Sequence, residues 1–237
     1  MRNLYQDILH AKANNQKLLA ILIDPDKVEM QVVEVLARKI NESPATHIFV
    51  GGSYVESSAI DLLITNLKRH CELPVLLFPG NPSQISALAD GILFLSLISG
   101  RNPDFLIEHQ VNAAPIIKKT TLEVIPTGYI LIESGKETAV SRVSKTEPLK
   151  QENIDYIVDT ALAGEMLGKK LIYLEAGSGA LNPVSSQIIA KVSASIGIPL
   201  IVGGGIRAKS GIQNAYDYGA DLVVIGTAFE NDLNFFD

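Results

Sequence analysis

The chain alternates between two kinds of segment. Short, continuous apolar runs read as strands: LLAILI (18–23), HIFVGG (47–52), PVLLFPG (74–80), GILFLSL (91–97), EVIPTGYILIE (123–133), KLIYLEA (170–176), PLIVGGG (199–205) and DLVVIGT (221–227). Between them lie longer amphipathic stretches with apolar positions at helical spacing, among them VEMQVVEVLARKINE, SSAIDLLITNLKRH, LKQENIDYIVDTALAGEMLG and AKSGIQNAYDYG. Strands that are apolar on both faces and alternate with helices imply a parallel sheet covered on both sides. Eight such repeats predict an α/β fold, a (β/α)8 TIM barrel. The open doubly wound sheet is disfavoured, because IDPDK follows the first strand where a glycine-rich dinucleotide fingerprint would stand. Gly168 and Gly219 close two of the helices. The stretch NPSQISALAD after the third strand is short for a full helix, so the third helix is expected to be shortened or modified. The segment 133–148, ESGKETAVSRVSKTEP, reads as a long polar loop.

Bulk properties narrow the function classes. A length of 237 residues suits one barrel, and no composition break divides it, so a single domain over 1–237 is expected. Hydrophobic residues make up 47% and charged residues 19%, enough for a large core. A net charge of −6 argues against a nucleic-acid partner. The lone cysteine, Cys71, makes no internal disulfide, and the polar, helix-like start lacks a signal-peptide core. No apolar run approaches the roughly 20 residues of a spanning helix. A cytoplasmic protein without an integral membrane segment is expected.

In a barrel the active site lies at the C-terminal ends of the strands, and the unusual residues of this chain fall there. Gly204 and Gly205 after the seventh strand, with Gly226 and Thr227 after the eighth, let backbone N–H groups approach an anion, the place where barrels commonly bind phosphate. Asp24 ends the first strand in LIDPDK and is a hard oxygen ligand suited to Mg2+. Ser53, closing VGGS on the neighbouring strand, offers a second oxygen. Asp26 fits a helix N-cap for the segment after it, and Lys27 is either a phosphate contact or a solvated lysine. Tyr173 and Glu175 share one face of the sixth strand. Glu175 is a candidate general base, worth on the order of 10²–10⁴-fold in rate, or a structural partner of Arg207. Gly177, Ser178 and Gly179 add amides. The histidines and Cys71 fall away from the strand mouths and suit packing or surface roles. Phe78, Leu97, Ile98 and Phe105 are candidates for an apolar groove, and equally for ordinary core. The ligand inferred is small, phosphorylated and hydroxylated.

Taken in order, LIDPDK, VGGS, FPG, LFLSLISGRNP, IPTGYILIESG, YLEAGSGA, IVGGGIR and VVIGTAFE run over nearly the whole chain. In this combination the sequence resembles the geranylgeranylglyceryl phosphate synthase family. It is more similar to the larger second group, with archaeal and some bacterial members, than to the bacterial heptaprenyl-transferring relatives. The resemblance implies a TIM barrel that transfers a polyprenyl group from a polyprenyl diphosphate to sn-glycerol 1-phosphate with Mg2+. It implies that Asp24 and Ser53 bind the metal. The stretch Tyr173, Leu174, Glu175, Ala176, Gly177, Ser178 and Gly179 would hold glycerol 1-phosphate together with Gly204, Gly205, Gly226 and Thr227, with Lys27 as a further phosphate contact. A homo-oligomer is expected. Two alternatives fit the residues by themselves: an isomerase or lyase of a sugar phosphate, and a barrel that binds a phosphorylated metabolite without turning it over.

Overall fold

The computed structural model describes residues 3–52 and 57–237. Eight parallel strands close into a barrel in the order of the chain. They are β1 (Leu18–Ile23), β2 (His47–Val50), β3 (Val75–Leu77), β4 (Gly91–Leu97), β5 (Glu123–Leu131), β6 (Leu171–Glu175), β7 (Leu200–Gly203) and β8 (Leu222–Ile225). Closure comes from β1 pairing with β8, with Leu18 opposite Leu222 and Ile21 opposite Ile225. The period of two in each strand divides its side chains between two cores. On β6, Leu171 and Tyr173 point into the barrel, whereas Ile172 and Leu174 join the layer between sheet and helices. Both faces are apolar because both are buried, as the continuous apolar runs required.

The bottom of the barrel is closed by helix α1 (Leu4–Ala13), whose Leu4, Ile8 and Ala11 pack on the inner core. Its first amides, which lack partners within the helix, are satisfied by Glu123 at the start of β5, which accepts from Leu4 N at 2.5 Å and Tyr5 N at 2.8 Å. Lys12 pairs with Asp221 at 2.8 Å. With this end plugged, the described cavity opens at the C-terminal mouth.

Helices α2 (Val33–Glu42), α3 (Ser57–His70), α4 (His109–Ile117), α5 (Ala139–Ser144), α6 (Ile154–Met166), α7 (Ser186–Ser195), α8 (Lys209–Asp217) and α9 (Thr227–Asn231) complete the layer. Gly168 and Gly219 have φ of +84° and +107°, the left-handed conformation of helix ends. Between β3 and β4 there is only a 3-10 turn, Pro82–Gln84, capped by the Asn81 side chain. The shortened third helix is therefore a real gap in the outer ring. Segment 133–148 differs from expectation. It holds α5, started by Thr138, whose Oγ1 accepts from Ser141 N at 3.3 Å, and presenting Val140 and Val143 on one side. The polar residues around this short turn masked it in the sequence. Several strands also stop short of the apolar runs. β3 ends at Leu77, ahead of Pro79, which has no N–H to donate to a ladder.

Candidate active site

A connected cavity of about 880 Å³ opens at the strand mouths. Its polar end is built on β6, β7 and β8. Glu175, the last residue of β6, points inward and is only 6% exposed. The Gly177 amide donates to its Oε1 at 2.6 Å. The β7 loop approaches so closely that a Cβ on Gly204 would lie 2.4 Å from that same oxygen and 2.5 Å from Gly177 N. Gly204 and Gly205 have φ of +83° and +73°, which turns the chain across the mouth. Ser178 Oγ and Thr227 Oγ1 meet at 3.4 Å, joining the β6 loop to the start of α9. Gly177, Ser178, Gly179, Gly204, Gly205, Gly226 and Thr227 thus line one end of one cavity. Leu174 and Ala176 are fully buried in the outer layer and contribute no side chain to it.

The structural role considered for Glu175, a pair with Arg207, is not what the fold makes. The Arg207 guanidinium donates to the Ala180 carbonyl at 2.5 Å. Burial pushes the Glu175 carboxyl up, partly offset by the Tyr173 hydroxyl and the Gly177 amide, which favour the charged form. The buried Tyr173 hydroxyl lies against Glu175 without a well-directed hydrogen bond to it, which leaves it able to turn to a ligand. Beneath it, Phe78, Tyr129 and Tyr173 form an aromatic floor with ring centroids 5.4–6.0 Å apart. Burial and the Glu175 charge hold both tyrosines well above the ordinary phenol range, so both are protonated.

The mouth of β1 carries the second cluster. Asp24 lines the cavity, and its Oδ1 accepts the Asp26 amide at 3.2 Å. Asp26 is therefore part of a turn held by Asp24 and does not cap a helix. The helical path resumes only at Met30, with Glu29 before it. Lys27 Nζ lies 3.2 Å from Asp24 and 3.4 Å from Glu230. Burial opposes the lysine's charge, but the two carboxylates outweigh it and raise its pKa. Glu230, on α9, also accepts the Asp24 amide at 3.1 Å. The sequence reading passed over it. The available signal was its place three residues after Thr227, in the first turn of a helix that starts at a strand mouth. Ser53 lies outside the described residues.

The cavity's other limb is apolar. The β3–β4 ladder ends at Leu77 opposite Ile92, whereas β4 continues beside β5 to Leu97 opposite Tyr129. Over that uncovered stretch the cavity passes from Phe78 and Leu97 at the mouth to Ile92 and Phe94 on the outer face of β4. Its opposite wall is Ile85 with Phe105, His109, Gln110 and Ala113. The groove occupies the place of the missing helix. Of the four residues that suited groove and core equally, Phe78, Leu97 and Phe105 line it while also packing on the inner core. Ile98 does not: its Cδ1 packs beside Gly128 and Gly164.

A family model described as the PcrB family matches residues 11–236. The chain belongs to the PcrB family. Among its relatives, a geranylgeranylglyceryl phosphate synthase of Flavobacterium johnsoniae is 66% identical over 100% of this chain and 98% of its own. Another of that name, from Zunongwangia profunda, is 53% identical over 98% of each. The barrel superposes with a TM-score of 0.94 on the crystal structure of (S)-3-O-geranylgeranylglyceryl phosphate synthase from Thermoplasma acidophilum in complex with substrate sn-glycerol-1-phosphate. The two are 33% identical over 100% of this chain and 95% of that one. These findings bear out the resemblance read from the sequence motifs. In this PcrB-family chain, no described helix is long and apolar enough to cross a membrane.

Proposed function

We propose that this protein is a prenyltransferase joining a polyprenyl group, geranylgeranyl in the first instance, to sn-glycerol 1-phosphate through an ether bond. One observation carries the reading. A single cavity links a glycine-lined anion cradle and a buried carboxylate to an apolar groove left by the missing helix. An isomerase or lyase of a small sugar phosphate has no use for that groove.

In this reading the amides of Ser178 and Gly179, with those around Gly204–Gly205 and Gly226–Thr227, hold the phosphate of glycerol phosphate, and the Tyr173 hydroxyl meets a glycerol hydroxyl. Glu175 takes the proton of the attacking hydroxyl. Its raised pKa suits a base that must give the proton up again. The hydroxyl oxygen bonds to C1 of the prenyl chain as the allylic C–O bond breaks, and diphosphate leaves with the bonding pair. The aromatic floor of Phe78 and Tyr129 excludes water from the developing cation and faces it with π density.

In the same reading Asp24, at the mouth of β1, suits Mg2+ of the kind completed by its substrate. Among the described residues no three His, Cys, Asp or Glu side chains converge as a metal cage, but Mg2+ usually takes one or two protein carboxylates and fills its shell from phosphate and water. Asp24 and Ser53 would hold it. When bound, it neutralises charge building on the leaving diphosphate. Homo-oligomeric assembly, a cytoplasmic location and a place in lipid biosynthesis belong to the same reading.

The test is product formation. Purified protein receives Mg2+, geranylgeranyl diphosphate and either sn-glycerol 1-phosphate or its 3-phosphate enantiomer, and the organic phase is analysed by mass spectrometry. A prenyl ether formed from the 1-phosphate and lost with EDTA is expected. Folded protein that binds glycerol phosphate yet makes no ether with any donor length would leave only a metabolite-binding barrel.

A further inference from the structure

The cations of the cavity do not match the load that the proposed substrates place on it. Both are polyanions, yet the cavity is lined by Asp24, Glu175 and Glu230. Lys27 is already held between two of these carboxylates, and Arg207 is turned to the Ala180 carbonyl. One cation beside the cradle is not committed. Lys136, in the β5–α6 connection, places Nζ 3.2 Å from the position a Cβ on Gly179 would take. Among the described residues it has no ion-pair partner.

Its backbone is fixed where it stands. Ser134 is 1% exposed, its carbonyl accepts from Leu181 and Asn182, and its hydroxyl donates to the Lys136 carbonyl at 3.2 Å. Two residues on, Thr138 packs so tightly on the β6 loop that a Cβ on Gly177 would meet its Cγ2 at 2.3 Å. The connection is thus latched to the cradle on both sides of Lys136, and Gly179 leaves the ammonium room to pass.

We infer that Lys136 is a ligand of the glycerol phosphate's phosphate group, reaching over Gly179 to close the outer side of the cradle. This rests on the proposed function. An ammonium has three donors and a flexible stem, which suits a point contact to phosphate from a loop.

The test pairs calorimetry with steady-state kinetics on Lys136→Met, which keeps the stem and removes the charge. Lys145→Met, in the same connection, is the control. With sn-glycerol 1-phosphate alone, Lys136→Met is expected to bind roughly tenfold more weakly, the loss of one charge-assisted hydrogen bond. The KM for glycerol phosphate rises to match while that for the prenyl diphosphate holds, and Lys136→Arg recovers part of the loss. A KM rise confined to the prenyl diphosphate would overturn the assignment, as would equal binding by wild type and Lys136→Met with ether still formed. Wild-type binding without ether would sink the transferase reading and leave a Lys136→Met deficit standing. Absence of binding by the wild type would overturn both.

Discussion

Gly204 and Gly168 form a matched pair that isolates the cradle from ordinary backbone strain. Their φ values are +83° and +84°. An alanine at either position suffers the same left-handed penalty, about 1–2 kcal/mol. In a chain of this size that lowers Tm by roughly 2–8 °C. The surroundings differ completely. Around Gly168 nothing lies within 4 Å of an added Cβ, whereas at Gly204 the Cβ meets Glu175 Oε1 at 2.4 Å, Gly177 N at 2.5 Å and Ala176 N at 2.8 Å. Two of those atoms are backbone and have no rotamer to yield. Relief requires the β6 and β7 loops to part by about 1 Å, and a displacement of that size at a reacting centre costs on the order of 10²-fold. Gly168→Ala is therefore expected to melt a few degrees early and to keep full kcat/KM. Gly204→Ala should melt lower still and lose about two orders of magnitude in kcat/KM. Thermal melts by circular dichroism and ether formation from sn-glycerol 1-phosphate read both quantities. Gly204→Ala turning over like Gly168→Ala would refute the idea that these loops hold the acceptor against Glu175.

Three further outcomes follow from the same geometry. Glu175→Gln should lose about 10²–10⁴-fold in kcat and the rise of kcat with pH through the carboxyl's elevated pKa. It should also melt higher than wild type on the alkaline side of the carboxyl's titration: folded Glu175 keeps its proton to higher pH than the unfolded chain, so wild-type stability falls as pH rises through that window, and the amide escapes the loss. Asp24→Asn keeps an oxygen for the Asp26 amide and removes the charge. The fold should persist while the Mg2+ needed for half-maximal rate rises by at least the roughly 10–100-fold that even an outer-shell partner is worth, and an unchanged Mg2+ titration would remove Asp24 from the metal site. Ala113→Phe fills the groove, so the KM for geranylgeranyl diphosphate should rise while a ten-carbon donor is used as before. Equal KM changes for both donors would place the chain elsewhere.

What the sequence could and could not convey follows from the physics of each part. The eight strands were legible because burial on both faces writes itself as unbroken apolar runs, and Tyr173 and Glu175 were placed together by the period of two alone. The β6 and β7 loops were legible because left-handed turns at a strand mouth demand glycine, as at Gly177, Gly179, Gly204 and Gly205. Asp26 misled, because a helix N-cap and a turn closed by the preceding aspartate use the same residue types, and only the delay of the helix to Met30 separates them. Glu230 stayed hidden because its partners, Asp24 and Lys27, lie some two hundred positions away and meet it only when β8 closes on β1.

The groove shows a deeper limit. NPSQISALAD pointed to a shortened or modified helix but not to what took its place, since an absent element leaves its neighbours' side chains unpaired and no residue announces that. The gap carries a structural burden. β4 runs on beyond the end of its β3 ladder, and a backbone carbonyl there needs a donor that a neighbouring strand would ordinarily give. Gln110 on α4 supplies it, its side-chain amide donating to the Leu95 carbonyl, while its own Oε1 is left buried and unpartnered. A glutamine beside Ile92, Phe94, Phe105 and Ala113 is thus explained by the open strand edge it serves. In this barrel the open groove and the glutamine inside it have the same cause.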